Sequence, residues 1–128
     1  MDITKKAHIL IVDDNPSDID LVCNVLDADY TLSAATNGDS AIDFVAKKMP
    51  DAIILDVKMP GRDGFSVCEE LMGQEGFHCP IIFLTAEDNA VHIEKGLELG
   101  ASFYLTKPLN PKRLKAVIKT ATEHFGAL

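Results

Sequence analysis

The chain alternates between short apolar segments, which predict strands, and stretches whose apolar residues recur at helical spacing. Three of the short segments are continuous apolar runs, and such runs are typical of strands covered on both faces. These segments are His8–Val12, the run from Ile53 to Asp56, and Ile81–Thr85. A fourth segment, residues 30–35, alternates, with Leu32 and Ala34 as apolar members, and this favours an edge strand. A fifth strand is expected over residues 101–106.

Five helices are predicted after these strands. Pro16 suits the first turn of a helix that continues to about Asp27, and a second helix begins after Asn37-Gly38 and includes Met49 before it stops at Pro50. The third and fourth are expected over residues 65–72 and 89–99. The apolar face of the closing helix is predicted to contain Leu114, Val117, Ile118, Ala121 and Phe125. Five strand–helix units in strict alternation predict an α/β fold, a parallel sheet with helices on both faces.

Size and composition narrow the class of protein. The 128 residues and 13.9 kDa fit a single domain, expected to span residues 1–128 with a core from about 8 to 125. A hydrophobic fraction of 47% with 25% charged residues, and no apolar run of spanning length, indicates a globular protein without membrane contact. Residues 1–7 are polar and lack an apolar signal core, so we expect the protein in the cytoplasm.

Charge and cysteine content argue against two further functions. Twelve basic against twenty acidic residues give a net charge of −8, whereas binding to nucleic acid needs clustered Lys and Arg. We therefore expect no direct contact with nucleic acid. The histidines and cysteines show no spacing typical of a metal site, and Cys23, Cys68 and Cys79 are expected to act as small apolar residues in a reducing compartment.

Polar residues stand at the ends of four predicted strands. Asp13 and Asp14 follow the first strand, Asp56 the third and Lys107 the fifth, while Thr85 ends the fourth. The carboxyl ends of parallel strands lie at one edge of a sheet, so all five should face one crevice. Each residue alone has a simpler interpretation, since an Asp can cap a helix and a loop Lys can be solvated. Their joint position favours a functional site.

Three carboxylates close together raise one another's pKa unless a cation compensates, and this predicts a bound divalent ion. Oxygen ligands without Cys or His favour a hard cation, and Mg²⁺ is the usual choice where phosphate also binds. Lys107 suits a phosphate oxygen or an ion pair with Asp56, and Thr85 supplies a hydroxyl donor. Together these groups predict phosphoryl transfer to a carboxylate.

The sequence resembles the receiver domain of bacterial two-component response regulators from about His8 to Phe125. The segments that carry the resemblance are Val12-Asp13-Asp14-Asn15, Leu55-Asp56-Val57-Lys58-Met59-Pro60-Gly61-Arg62-Asp63-Gly64, Leu84-Thr85-Ala86, Gly100-Ala101 and Tyr104-Leu105-Thr106-Lys107-Pro108. The resemblance implies a doubly wound, flavodoxin-like or CheY-like sheet of five parallel strands in the order 2-1-3-4-5. It also implies a signalling switch, not an enzyme with a separate substrate, that catalyses its own phosphorylation and dephosphorylation.

Residue roles follow from the same resemblance. Asp56 is the expected phosphoacceptor, and Mg²⁺ is expected on Asp14, Asp56 and the backbone carbonyl of Lys58, with Asp13 contributing through water. Contacts to the phosphoryl group are expected from Thr85, Ala86 and Lys107. The expected switch pair is Thr85 with Tyr104, and the Lys107-Pro108 peptide is expected to be cis. Lys58 and Glu87, two residues beyond the acceptor and the switch Thr, vary in the family and tune the phosphoryl lifetime.

Implied partners are a sensor histidine kinase or a histidine phosphotransfer protein, and a downstream effector that binds the face made by the fourth helix, fifth strand and fifth helix. A homodimer formed on phosphorylation is a further expectation. Three alternatives remain at this point. A haloacid-dehalogenase-like phosphatase would need a second Asp where Lys58 stands, and a flavodoxin-like cofactor binder would need a phosphate cradle that the loops lack. A degenerate receiver used only for docking would not need the intact site residues.

Overall fold

The computed structural model describes residues 6–126, with side chains described for residues 6–123. Five parallel strands form one sheet in the order β2-β1-β3-β4-β5. The strands are β1 (His8–Val12), β2 (Thr31–Ala35), β3 (Ala52–Leu55), β4 (Ile81–Thr85) and β5 (Phe103–Thr106). They alternate with α1 (Pro16–Leu26), α2 (Gly38–Lys47), α3 (Gly64–Met72), α4 (Ala90–Glu98) and α5 (Pro111–Gly126). The predicted fold class and strand order are confirmed.

Each face of the sheet carries its own apolar core. Alternate residues of the inner strands point to opposite sides, as the period of a strand requires. One core joins side chains such as Leu10, Leu55 and Phe83 to α2 and α3. The other joins the intervening residues of the strands to α1 and α5. Because β1, β3 and β4 are covered on both faces, all of their residues are buried, as their continuous apolar runs predict.

The edge strand β2 differs in part from the prediction. Its place at one edge is confirmed, but Ala34 is exposed, and the apolar coverage comes from half-buried Leu32 and buried Ala35 on opposite faces. An edge strand has a neighbour on one side only, so its coverage varies along its length. Cys68 and Cys79 are buried, as expected, whereas Cys23 is only half-buried.

Two predicted boundaries are corrected. Helix α2 stops at Lys47, so Met49 lies outside it and is 43% exposed, because a residue before proline is driven towards extended backbone. Strand β5 begins at Phe103 and not at residue 101, since the Ala101 N–H donates to the Gly96 carbonyl and thereby closes α4. The predicted role of Phe125 lies outside the described side chains.

The start of α3 is pressed against the end of β3. The Gly64 N–H donates to the Val57 carbonyl over 2.7 Å, and a Cβ atom on Gly64 would collide with the backbone carbonyl of Asp56. Asp63 caps α3 by accepting from the Ser66 N–H. This contact leaves no room for a side chain at position 64, and it fixes the loop that carries Asp56. Among the described residues, no helix has the length and apolar character needed to cross a membrane.

Candidate functional site

Three site residues stand one position beyond a strand and are still bonded to the sheet. The backbone N–H of Asp13 donates to the Ala35 carbonyl (3.1 Å), that of Asp56 to Val12 (3.0 Å) and that of Lys107 to Thr85 (2.8 Å). Each backbone is therefore held by the last residue of the neighbouring strand. Rigid strand ends of this kind position side chains more accurately than a free loop does.

Asp13, Asp14 and Asp56 meet at the sheet edge, where one carboxylate oxygen from each lies within 4.8 Å of the others. Asp13 and Asp56 are buried, and Asp14 is exposed. None of the three is the N-cap of a helix, because Asn15 caps α1 and Asp63 caps α3. The interpretation of these acids as simple helix caps is therefore wrong.

Lys107 neutralises part of this charge. Its Nζ atom lies 3.0 Å from Asp13 Oδ2, 3.0 Å from Asp56 Oδ2 and 2.7 Å from Asp18 Oδ2. Burial alone would lower the pKa of Lys107, but hydrogen bonds to Asp18, Asp56 and Asp13 outweigh it, so the pKa is raised and the side chain stays charged. The peptide between Lys107 and Pro108 is cis.

The remaining charge suits a cation. Burial raises the pKa of Asp13, and the nearby Asp56 carboxylate adds to this, while hydrogen bonds from the Asn15 N–H and Lys107 oppose it. Asp56 Oδ1 is buried and has no hydrogen-bond partner in the described part of the chain. A buried carboxylate oxygen without a partner is costly unless a cation contacts it. The donor set is all oxygen, so the residues present fit a hard divalent ion such as Mg²⁺.

The other predicted site residues lie on β4, on the loop that follows it and on β5. Thr85 is 1% exposed, and its Oγ1 accepts a hydrogen bond from the Glu87 N–H over 3.3 Å; Ala86 between them is exposed. Tyr104 is half-buried, with its ring centroid 5.5 Å from that of Phe83. Its ring also packs on Gly96, where a Cβ would lie 2.9 Å from Tyr104 Cδ2. Thr85 and Tyr104 stand on neighbouring strands, and each makes a hydrogen bond to the backbone of Glu87 in the loop that follows β4.

A group of polar side-chain contacts spans the rim of the site. The Lys58 ammonium, on a side chain that is 84% exposed, lies 3.1 Å from Glu87 Oε1, and His92 Nδ1 lies 3.1 Å from Glu87 Oε2. Lys58 thus turns its charge towards the loop after β4, and its backbone carbonyl remains the predicted metal ligand. The sequence predicts roles for Lys58 and Glu87 separately, and nothing in it indicates their pairing or the part of His92.

Asp18 is the most important residue that the sequence did not reveal. It is the third residue of α1, and 89 positions separate it from Lys107. The only signal was an acid in the first turn of a helix, which ordinarily interacts with the helix dipole. Nothing in that local pattern indicates a partner at the end of β5.

Comparisons with known proteins agree with this geometry. A family model described as "Response regulator receiver domain" matches residues 9–119. The chain is 41% identical over 118 residues to response regulator PleD of Caulobacter vibrioides, covering 91% of this chain but 26% of PleD. The chain thus spans about a quarter of the length of that relative.

Solved structures extend the match to the whole fold. The crystal structure of a response regulator from Chloroflexus aurantiacus J-10-fl superposes with a TM-score of 0.88 at 34% identity, covering 93% of this chain and 99% of that one. Chemotaxis protein CheY4 of Vibrio cholerae gives a TM-score of 0.84 at 33% identity, with coverages of 91% and 98%. The strand order, the acidic cluster with its lysine, and the match over residues 9–119 agree: this chain belongs to the response regulator receiver domain family.

Proposed function

We propose that this receiver domain accepts a phosphoryl group on Asp56 from the phosphohistidine of a sensor kinase or of a histidine phosphotransfer protein. The observation that supports the proposal is the hydrogen bonding of the two Asp56 carboxylate oxygens. One of these oxygens bonds to Lys107, and the other is buried with no hydrogen-bond partner among the described residues. A carboxylate with a free oxygen, beside a lysine and two further acids, is suited to attack an electrophilic phosphorus atom.

The reaction can be written for a small donor such as acetyl phosphate. An Asp56 oxygen uses a lone pair to form a bond to phosphorus, and the bond between phosphorus and the acetate oxygen breaks. Acetate leaves with that electron pair, so no proton or further reactant is required. Lys107 already donates to Asp56 Oδ2. It is therefore positioned to donate to a phosphoryl oxygen as negative charge develops on that oxygen.

Asp13, Asp14, Asp56 and the Lys58 carbonyl would hold Mg²⁺ at this site. When bound, the ion supplies positive charge to the acidic cluster and to the incoming phosphoryl oxygens. The protein's own residues do the remaining work. The buried Asp13 and Asp56 carboxylates are fixed by the sheet, and Lys107 stays protonated because three carboxylates surround it.

The proposed output is a change on the surface made by α4, β5 and α5. Tyr104 of β5, Ile93 of α4 and Arg113 of α5 line an open cleft of about 370 Å³. Phosphorylation would alter this cleft through Thr85 and Tyr104, and an effector or a second receiver would read the change. The domain would thus act in the cytoplasm as a switch, not as an enzyme with a separate substrate, and it would catalyse its own phosphorylation and dephosphorylation.

The test is uptake of phosphate from acetyl phosphate, with and without Mg²⁺, followed by intact-protein mass spectrometry. Wild type should gain one phosphate only when Mg²⁺ is present, and Asp56→Asn should gain none because an amide is a poor nucleophile. Asp20→Asn, an exposed acid of α1, is the matched control and should behave as wild type. A phosphate adduct of equal yield on Asp56→Asn would overturn the assignment.

A further inference from the structure

Among the described residues, three carboxylates contact the Lys107 ammonium, and Asp18 makes the shortest of these contacts. Its Oδ2 atom lies 2.7 Å from Nζ, against 3.0 Å for Asp13 and for Asp56. An ammonium group has three hydrogens to donate. The three carboxylates therefore occupy all of its donor capacity, and Asp18 is the strongest of them by distance.

Asp18 differs from the other two acids in what else it can bind. Asp13 and Asp56 belong to the cluster that could hold a metal ion, together with Asp14. The Asp18 carboxylate is outside that cluster, and among the described residues its side chain accepts a hydrogen bond from Lys107. It is 29% exposed, so it is neither free in solvent nor deep in the core.

The local structure of α1 fixes this contact. Asn15 caps the helix, and its side chain accepts from the backbone N–H groups of Ser17 and Asp18. Asp18 is thereby held at the third helical position, where side chains point back towards the helix start. There its carboxylate meets Lys107 across the edge of the sheet.

We infer that Asp18 is a positioning residue for the phosphoryl transfer proposed above: it holds the Lys107 ammonium beside Asp56 without serving as a metal ligand. The inference rests on the proposed function and adds a residue to it. The Asp18 carboxylate binds the Lys107 ammonium and is not needed as a ligand of the metal. Without it, the ammonium depends on Asp13 and Asp56, whose oxygens the metal also needs, so Lys107 and Mg²⁺ would compete.

The contact between Asp18 and Lys107 also matters during phosphoryl transfer to Asp56. Once an Asp56 oxygen is bonded to phosphorus, Lys107 must direct one hydrogen to a phosphoryl oxygen. With Asp18 and Asp13 holding the other two hydrogens, the ammonium stays in place during this change. A lysine side chain with one anchor fewer has more freedom, and orienting it costs entropy at the moment of reaction.

Asp18→Asn keeps the shape of the side chain and removes its charge, Asp18→Glu restores the charge, and Asp20→Asn removes an equal charge from a neighbouring position of α1. At saturating Mg²⁺, Asp18→Asn should take up phosphate from acetyl phosphate about tenfold more slowly, the effect of one weakened charge-assisted hydrogen bond. The acetyl phosphate concentration for half-maximal rate should not rise, because Asp18 itself makes no contact with acetyl phosphate. Asp18→Glu should recover most of the rate.

Mg²⁺ binding gives a second readout that does not depend on phosphorylation. Followed by NMR, the Mg²⁺ dissociation constant of Asp18→Asn should rise about threefold, since a nearby negative charge is removed and Lys107 competes for the remaining oxygens. Asp20→Asn should change neither quantity. Melting curves of the metal-free variants check that each one folds.

The outcomes separate this inference from the proposed function. If wild type is phosphorylated on Asp56 while Asp18→Asn matches it in both rate and Mg²⁺ affinity, the inference is overturned and the proposed function stands. If Asp20→Asn slows the reaction as much as Asp18→Asn does, the effect is one of net charge, and the positioning role is also overturned. If wild type takes up no phosphate, the proposed function fails and the inference fails with it.

Discussion

The Tyr104 hydroxyl donates a hydrogen bond to the backbone carbonyl of Glu87 over 2.6 Å. The N–H of Glu87 donates to Thr85 Oγ1, so the backbone of Glu87 connects the two residues of the predicted switch pair. Burial, with a contribution from the charges of Glu87, Asp56 and Asp88, raises the pKa of Tyr104 to about 12. The hydroxyl therefore keeps its proton and remains a donor at neutral pH. A movement of Thr85 towards a phosphoryl group should therefore shift the backbone of Glu87 and change the hydrogen bond that Tyr104 makes to it.

We predict that Thr85→Ala leaves phosphorylation of Asp56 intact but uncouples it from Tyr104. The hydroxyl that would move is absent, so the loop after β4 loses its link to the site. The measurement is NMR with and without beryllofluoride, a mimic of the phosphoryl group. Wild type should show shift changes at Tyr104 and along α4 and α5, and the variant should show them only near Asp56.

Thr106→Ala is the matched control for that experiment. Thr106 pairs with Thr85 in the sheet register but is exposed. It should respond to beryllofluoride as wild type does. Shift changes at Tyr104 of equal size in Thr85→Ala and in wild type would remove Thr85 from the relay.

Mg²⁺ should stabilise the folded domain against heat. An ion present at ten times its dissociation constant contributes about 1.4 kcal/mol through linkage, which corresponds to a rise of about 5 °C for a domain of this size. Asp14→Ala should abolish this rise. It should also raise the melting temperature of the metal-free protein, because Lys107 pairs with Asp13 and Asp56 but has no contact with Asp14 among the described side chains.

Differential scanning fluorimetry with Mg²⁺ and with a chelator makes the comparison. Asp20→Ala is the control, since it removes an exposed acid from α1 and should keep the full response to Mg²⁺. A metal-free Asp14→Ala protein that melts below wild type would contradict the view that crowded carboxylates destabilise the apo domain.

Gly64→Ala should damage the fold next to the phosphoacceptor. Its Cβ would overlap the Asp56 carbonyl, so α3 or the end of β3 must shift, and overpacking of this kind costs about 1–3 kcal/mol. Gly73→Ala is the control, because its Cβ would make only ordinary contacts at 3.4 and 3.6 Å. Urea unfolding measures both. Equal stability of the two variants would show that the approach of α3 to β3 is not tight.

The stability of the domain should fall as the pH drops below about 6.5, the unperturbed value of histidine, because of His8. Burial, together with the nearby Lys48, lowers the pKa of His8 in the folded state, although Asp51 opposes this. The neutral ring is held by a contact of 2.7 Å between Nε2 and Ser33 Oγ, and its buried Nδ1 has no partner among the described residues. Below pH 6.5 the unfolded state binds a proton that the folded state resists, so stability is lost as the pH falls towards the lowered pKa.

Urea unfolding between pH 7.5 and 5 tests this expectation. His8→Gln should flatten the decline over that range, since it removes the group that titrates. A slope in His8→Gln as steep as in wild type would assign the pH dependence to other groups.

Sequence patterns predicted the elements well where one physical cause dominates. Continuous apolar runs mark β1, β3 and β4 because both faces of these strands are covered, and the polar residues at their ends meet at one edge. Patterns failed where two elements compete for a residue. The pattern predicts a strand at Ala101, but this residue closes α4. It predicts a helix at Met49, but Pro50 drives this residue to extended backbone.

The site divides in a similar way. The sequence alone predicts that four of the site residues lie close together, because strand order fixes where the strand ends lie. These residues are Asp13, Asp14, Asp56 and Lys107. Asp18 could not, since its partner depends on how α1 packs across the edge of the sheet. The pairing of Glu87 with Lys58 and His92 was missed for the same reason, because each side chain belongs to a different loop or helix.

The backbone N–H groups of Asp13, Asp56 and Lys107 each bond to the neighbouring strand, and this has a consequence for how the domain opens. These amides can exchange with deuterium only when two strands separate at the sheet edge. The carboxyl ends of the strands should therefore be among the slowly exchanging parts of the chain, although loops follow them directly. A ligand that bridges these strand ends would slow exchange at all three amides at once, so hydrogen exchange can report occupancy of the site without any label on the ligand.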